Sequence, residues 1–213
     1  MYDRLLTKHR AMNIPRCLLG IRLHEKQGSR SATALEESIE IMQSRLRNNV
    51  YSRKELSVIR KGLSVFYLAR ARARGGDKEY YEAYQLGKLL AESGYTICNG
   101  GGGGIMEAAA RGAKSVGGKC IGVTCEFFQR PANQWIDKEV STKNVVDRLM
   151  ELIQLGDAYM VLKGGTGTLV ELSTAWEFMN KRVIPEKPII IVGDFWKSVV
   201  ETLNNELIWE GRG

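Results

Sequence analysis

Ala158-Tyr159-Met160-Val161-Leu162-Lys163-Gly164-Gly165-Thr166-Gly167-Thr168-Leu169-Val170-Glu171 is the stretch on which the fold turns. An unbroken apolar run, Ala158–Leu162, ends in a glycine cluster and gives way to a helix-like pattern from Thr168 to Lys181. The apolar run has the length and texture of a strand buried on both faces, as in parallel sheets. The cluster between strand and helix frees the backbone to turn and leaves N–H groups bare at a helix start, where they and the helix dipole favour an anion. Gly164, Gly165, Thr166, Gly167 and Thr168 are therefore candidate phosphate-binding residues, with Thr166 and Thr168 offering hydroxyls as well. A tight turn capped by Thr168 would need one glycine, and this loop has three.

Upstream, the same grammar recurs. Tyr95–Cys98 reads as a strand, followed by five consecutive glycines, Gly100–Gly104, and a helix over Met106–Val116 closed by Gly117 and Gly118. Ordering five glycines is entropically costly, so a ligand approaching the main chain explains them better than a flexible turn does. Around these two units the chain alternates: strand Leu63–Ala69, helix Lys78–Ser93, strand Cys120–Thr124, helix Val145–Leu155, strand Pro188–Val192 and helix Phe195–Leu207. Alternation of this kind predicts an α/β fold, a parallel sheet with helices on both faces. Ligands of such sheets bind outside the carboxyl ends of the strands, which is where both glycine clusters fall.

Neither loop is a familiar nucleotide fingerprint. G-x-G-x-x-G fails because Ile105 stands at the sixth position counted from Gly100, and G-x-x-x-x-G-K-[ST] finds no match. A nicotinamide dehydrogenase and a P-loop ATPase are both disfavoured.

Of the 213 residues, positions 1–62 carry 13 Lys/Arg and 6 Asp/Glu, leaving 18 of each to the rest; the net charge of +7 belongs to that first segment. Residues 1–61 form a basic N-terminal extension, irregular over 1–30 and helical in pattern from Ala32 to Arg47 through Leu35, Ile39, Met42 and Leu46. The main domain spans 62–213. No Lys/Arg block with interleaved aromatics argues for a nucleic-acid surface. Cys17, Cys98, Cys120 and Cys125 show no C-x-x-C pair, so no zinc site or disulfide framework is expected. With no secretory h-region and no apolar run of membrane-spanning length, the expected compartment is the cytoplasm. The two histidines, His9 and His24, both lie in the extension, so chemistry in the main domain must run on carboxylates, arginines and backbone amides.

Gly100-Gly101-Gly102-Gly103-Gly104-Ile105-Met106-Glu107-Ala108-Ala109, followed by Arg111-Gly112-Ala113, resembles the GGGxGIMEAA segment of the LOG ("lonely guy") family. Gly164–Glu171 resembles its P-G-G-x-G-T-x-x-E motif, Arg148 stands at the family's arginine, and Gly76-Asp77 with Tyr80-Tyr81-Glu82 is similar to the segment after its first strand. The resemblance runs from about Ser64 to Trp196. It implies a doubly wound, Rossmann-like fold, a homodimer or larger homo-oligomer, no cofactor and no metal. It also implies hydrolysis of the N-glycosidic bond of a nucleoside 5′-monophosphate, a cytokinin ribotide or AMP, to free base and ribose 5-phosphate. By the same match Glu171 and Arg148 are the catalytic pair, and Gly101, Gly102, Gly103, Gly104, Met106 and Glu107 join the second loop in binding the nucleotide. Cleavage passes through an oxocarbenium-like state, which a carboxylate can stabilise while it activates water. Glu171 is expected in the first helical turn, where the dipole favours its ionised form.

Three positions depart from the family pattern: Lys163 replaces the proline, Leu149 the lysine after the arginine, and Tyr67-Leu68 the Gly-Ser that ends the first strand. The last substitution supports an alternative, a non-catalytic nucleotide sensor or molybdenum-cofactor carrier of the same fold. A weaker alternative docks the basic extension on nucleic acid.

Overall fold

The computed structural model describes residues 18–21, 64–68 and 77–209; the helix expected between Ala32 and Arg47 falls outside them. Seven strands form one sheet: β1 Leu18–Ile21, β2 Ser64–Leu68, β3 Thr96–Asn99, β4 Cys120–Cys125, β5 Lys138–Thr142, β6 Ala158–Val161 and β7 Ile189–Val192. Every pair is parallel, in the order β1-β7-β6-β2-β3-β4-β5. Among the described residues five α-helices alternate with these strands: α1 Lys78–Glu92, α2 Ile105–Lys114, α3 Val145–Leu155, α4 Thr166–Asn180 and α5 Lys197–Trp209.

Alternation along the strands sorts the core into two layers. Ala158, Met160, Ile190 and Val192 point with Ile97 to one face, where Ala83, Leu86 and Leu90 of α1 and Ala108, Ala109 and Ala113 of α2 cover them. Tyr159, Val161, Ile189 and Ile191 point with Cys98 to the other, against Leu152 and Ile153 of α3 and Leu172, Ala175 and Trp176 of α4. The sheet is thus doubly wound, as expected. The connection after β2 leads to β3 on one side and that after β6 leads to β7 on the other, so a topological switch point lies between the neighbouring strands β2 and β6.

Helices α1 and α2 approach closely because each presents a glycine to the other. A Cβ on Gly87 would run into the Ala109 carbonyl, and one on Gly112 into that of Tyr84. Gly112→Ala is therefore expected to cost on the order of 1–3 kcal/mol by forcing the helices apart. A lowered urea midpoint with an unchanged slope would show it, and an unchanged midpoint would contradict it.

Two strands escape the sequence reading. Leu18–Ile21, within the segment read as irregular, pairs with β7 as an edge strand, and Lys138–Thr142 forms the opposite edge. Other boundaries shift by one or two residues. α4 begins at Thr166 rather than Thr168, with Gly165 and not Thr168 at its N-cap. Among the described residues no helix is long and apolar enough to cross a membrane.

Candidate functional site

The first glycine loop is tied down from below. Asn99, fully buried at the end of β3, accepts a hydrogen bond from the Gly101 amide at 2.8 Å and donates to the Met106 carbonyl at 3.0 Å. From the side, the Asn133 amide nitrogen Nδ2 donates to Gly101 O at 3.1 Å and to Gly102 O at 2.8 Å. Gly101 (φ 70) and Gly104 (φ 70, ψ −129) hold conformations that L-residues avoid. Gly101 also lies on Gly122 of β4, its Cα 3.1 Å from where a Gly122 Cβ would be. The first ladder bond of α2 runs from the Ala108 amide to Gly104 O, so the amides of Ile105, Met106 and Glu107 precede the helical ladder. Met106 packs under the loop, its Cε 2.8 Å from a Cβ built on Gly102; Glu107 reaches back, its Oε2 3.7 Å from one built on Gly103.

The second loop is built differently. The first ladder bond of α4 joins the Leu169 amide to Gly165 O, leaving the amides of Thr166, Gly167 and Thr168 ahead of the ladder. Gly164 must be glycine, since a Cβ there would collide with Thr168 Oγ1; the buried Thr168 hydroxyl thus faces the loop's own backbone. Gly165 and Gly167 have negative φ, and Cβ atoms on them would meet nothing within 4 Å. Neither conformation nor packing explains the missing side chains at 165 and 167, whereas a ligand approaching the amides does. Trp196 Nε1 donates to Leu162 O at 2.8 Å and Lys163 pairs with Glu79 at 3.0 Å, bracing the loop's entry. Lysine in place of proline therefore adds a tie to α1.

Arg148 links these parts. Asn144 caps α3 by accepting from the Asp147 amide at 2.9 Å, and Lys187 Nζ donates to Ile153 O at 3.1 Å at the helix's other end, where a cation suits the dipole. From the first turn so fixed, Arg148 Nε donates to Val123 O at 2.8 Å and Nη2 to Gly100 O at 3.2 Å. Its Nη1 lies 3.9 Å from Glu171 Oε1, both side chains being 16% exposed. A Cβ on Gly100 would collide with Nη2, so that glycine makes room for the guanidinium. The guanidinium carbon also lies over the Phe128 ring, 5.8 Å from its centroid.

The expectation for Glu171 needs correction. Because α4 starts at Thr166, Glu171 is in the second turn, beyond the reach of the dipole. Burial instead pushes its carboxyl up, against the pull of Arg148, to about 7. At neutral pH it is divided between acid and carboxylate, which suits proton transfer better than a permanent charge would.

Arg148 and Glu171, read from the sequence as a pair, are thus adjacent, and Arg148 contacts the first loop while α4 carries the second. Asn99, Asn133 and Phe128 were missed. An Asn-Gly step is a turn signal that could have exposed Asn99; the other two act across long separations and leave no local mark.

The model of the SLOG cluster4 family matches residues 70–207. An uncharacterized protein of Archaeoglobus fulgidus is 36% identical over 117 residues, 54% of this chain and 76% of that protein. A cytokinin riboside 5′-monophosphate phosphoribohydrolase of Mycobacterium tuberculosis is 33% identical over 119 residues, 54% of this chain; the match spans 62% of that protein, less than two thirds of its length. Among solved structures, a molybdenum cofactor binding protein from Rippkaea orientalis superposes with a TM-score of 0.54 at 27% identity, covering 67% of this chain and 83% of that one. The molybdenum cofactor carrier protein of Chlamydomonas reinhardtii gives 0.51 at 20% identity, covering 68% and 86%, a likeness of fold.

Proposed function

The chain belongs to the SLOG cluster4 family, and from that premise we propose that it hydrolyses the N-glycosidic bond of a nucleoside 5′-monophosphate. The observation that carries this reading is a carboxyl group poised near pH 7, Glu171, 3.9 Å from an arginine that is itself bonded to the first glycine loop. The 5′-phosphate is held by loop amides, with those of the exposed Thr166 and Gly167 ahead of the helical ladder foremost. Glu171 takes a proton from water as its oxygen bonds to C1′ and the bond to the base nitrogen breaks; that proton passes on to the departing base. Water and nucleotide are consumed, base and ribose 5-phosphate released. The ionised fraction of Glu171 also faces the positive charge that develops on the sugar. Arg148 orients the carboxyl and offsets part of the effect of its burial, so that a fraction of Glu171 is ionised near pH 7.

Incubating the purified full-length chain with a panel of nucleoside 5′-monophosphates, AMP and a cytokinin ribotide among them, is expected to release free base and ribose 5-phosphate in equal amounts by chromatography. No base from any member of the panel, with intact nucleotide bound, would replace this reading with the second: a binding protein without turnover. The 27% identity to a molybdenum cofactor binding protein favours that second reading. The charge partner of Glu171 and its poised carboxyl favour the first. A homo-oligomer and a cytoplasmic setting accompany either proposal.

A further inference from the structure

Directly after β4, Glu126–Phe128 makes a single 3-10 turn that ends at Gln129 in the left-handed region (φ 49). The turn presents two aromatic rings to solvent, Phe127 71% exposed and Phe128 46% exposed, packed edge to face with centroids 5.5 Å apart. Burying a large apolar ring is the ordinary outcome of folding, so two adjacent exposed phenylalanines in a fixed turn call for a partner. Their position names its chemistry. Phe128 stands 5.8 Å from the guanidinium carbon of Arg148, whose Nη1 is 3.9 Å from Glu171. Glu171, Arg148 and Phe128 are therefore successive neighbours, with Arg148 between the other two and bonded to the first loop. The segment beyond the turn is anchored, because Asn133 bonds the first glycine loop through both its amide N–H and its side chain.

We propose that Phe128 is the base-recognition residue of the site, a shelf on which the planar purine of a nucleoside 5′-monophosphate stacks. The inference rests on the proposed function, which puts C1′ beside Glu171. With the sugar there and the phosphate on the loop amides, the base extends past Arg148 toward the Phe128 ring. Stacking on an aromatic face recognises any planar base while leaving its edges free. Phe128 then sets affinity for the base without touching the sugar phosphate. Phe127 holds the Phe128 ring edge-on and is the positioning residue of the pair.

The test is calorimetry of AMP and of ribose 5-phosphate, taken separately, against the wild-type chain and the Phe128→Ala and Phe128→Trp variants. Phe128→Ala is expected to weaken AMP roughly 10-fold or more while ribose 5-phosphate is held as before. Phe128→Trp is expected to restore AMP affinity, with quenching of the new indole as the base stacks. Equal weakening of AMP and ribose 5-phosphate in Phe128→Ala would assign Phe128 to propping Arg148 and overturn the shelf. So would unchanged AMP affinity. A wild-type chain that binds AMP but releases no base removes the hydrolytic function and leaves the shelf standing; one that binds neither ligand removes both.

Discussion

Glu171→Gln is expected to lower base release by on the order of 1,000-fold, the range for loss of a proton-transferring group, and at the same time to stabilise the fold above pH 7. The two effects share a cause. Burial raises the carboxyl from 4.5 to about 7, so between those values the unfolded chain loses a proton that the folded chain keeps. Stability contributed by the protonated form is complete below 4.5 and declines as pH rises through about 7. The full linkage is on the order of 3 kcal/mol, withdrawn from the folded state at pH 8. Glutamine has no proton to lose and a similar shape. Urea titrations should therefore show Glu171→Gln and wild type alike near pH 4, with the variant more stable at pH 8. A variant that is less stable than wild type at pH 8 and like it near pH 4 would mean that Glu171 is an ordinary paired carboxylate and that its site stores no such strain. Wild-type turnover is expected to rise through about pH 7 as the base form of Glu171 fills.

The sequence speaks clearly of these loops and poorly of what surrounds them. β6 is wholly buried on both faces and so reads as an apolar run, and two of the three glycines after it, Gly165 and Gly167, have few uses other than close approach by a ligand. β5 is the opposite case. It is an edge strand bonded only to β4, its residues Lys138, Glu139 and Ser141 are exposed, and half-paired backbone leaves no apolar signature. β1 does have one, Leu18-Leu19-Gly20-Ile21, but four residues among basic neighbours are too few to tell a strand from a loop. At the site, motif and family likeness identified Arg148 and Glu171, whereas the protonation of Glu171 could not be read that way. It depends on how deeply α4 packs, and the helix begins two residues earlier than its pattern suggests. The clamp by Asn133 on Gly101 spans 32 positions and the bond from Arg148 to Gly100 spans 48, so each exists only once the sheet has brought strand ends together.

Arg148→Ala is expected to damage the site more widely than the loss of one charge would. Removing the guanidinium leaves the carbonyls of Val123 and Gly100 without their donors and Glu171 without its cation. Stranding two such acceptors and a partly buried acid costs about 3 kcal/mol, moderated because Glu171 can retreat into its neutral form. That retreat is the measurable signature. Burial alone would then govern the carboxyl, and its midpoint should climb above about 7, the value Arg148 now holds it down to. Carbon NMR of labelled glutamate can follow this even when turnover is gone. Arg148→Lys separates the contributions: the charge persists, so the midpoint stays nearer the wild-type value, but a single ammonium cannot serve two carbonyls and a carboxylate from one planar fork. Gly100→Ala reaches the same lesion from the opposite side, since its methyl would occupy the space of Nη2 and push the guanidinium off its partners. It should raise the Glu171 midpoint as Arg148→Ala does, with the arginine still present in the chain. A midpoint that stays near 7 in both variants would show that Arg148 does not govern Glu171, and the proposed division of labour between them would fail.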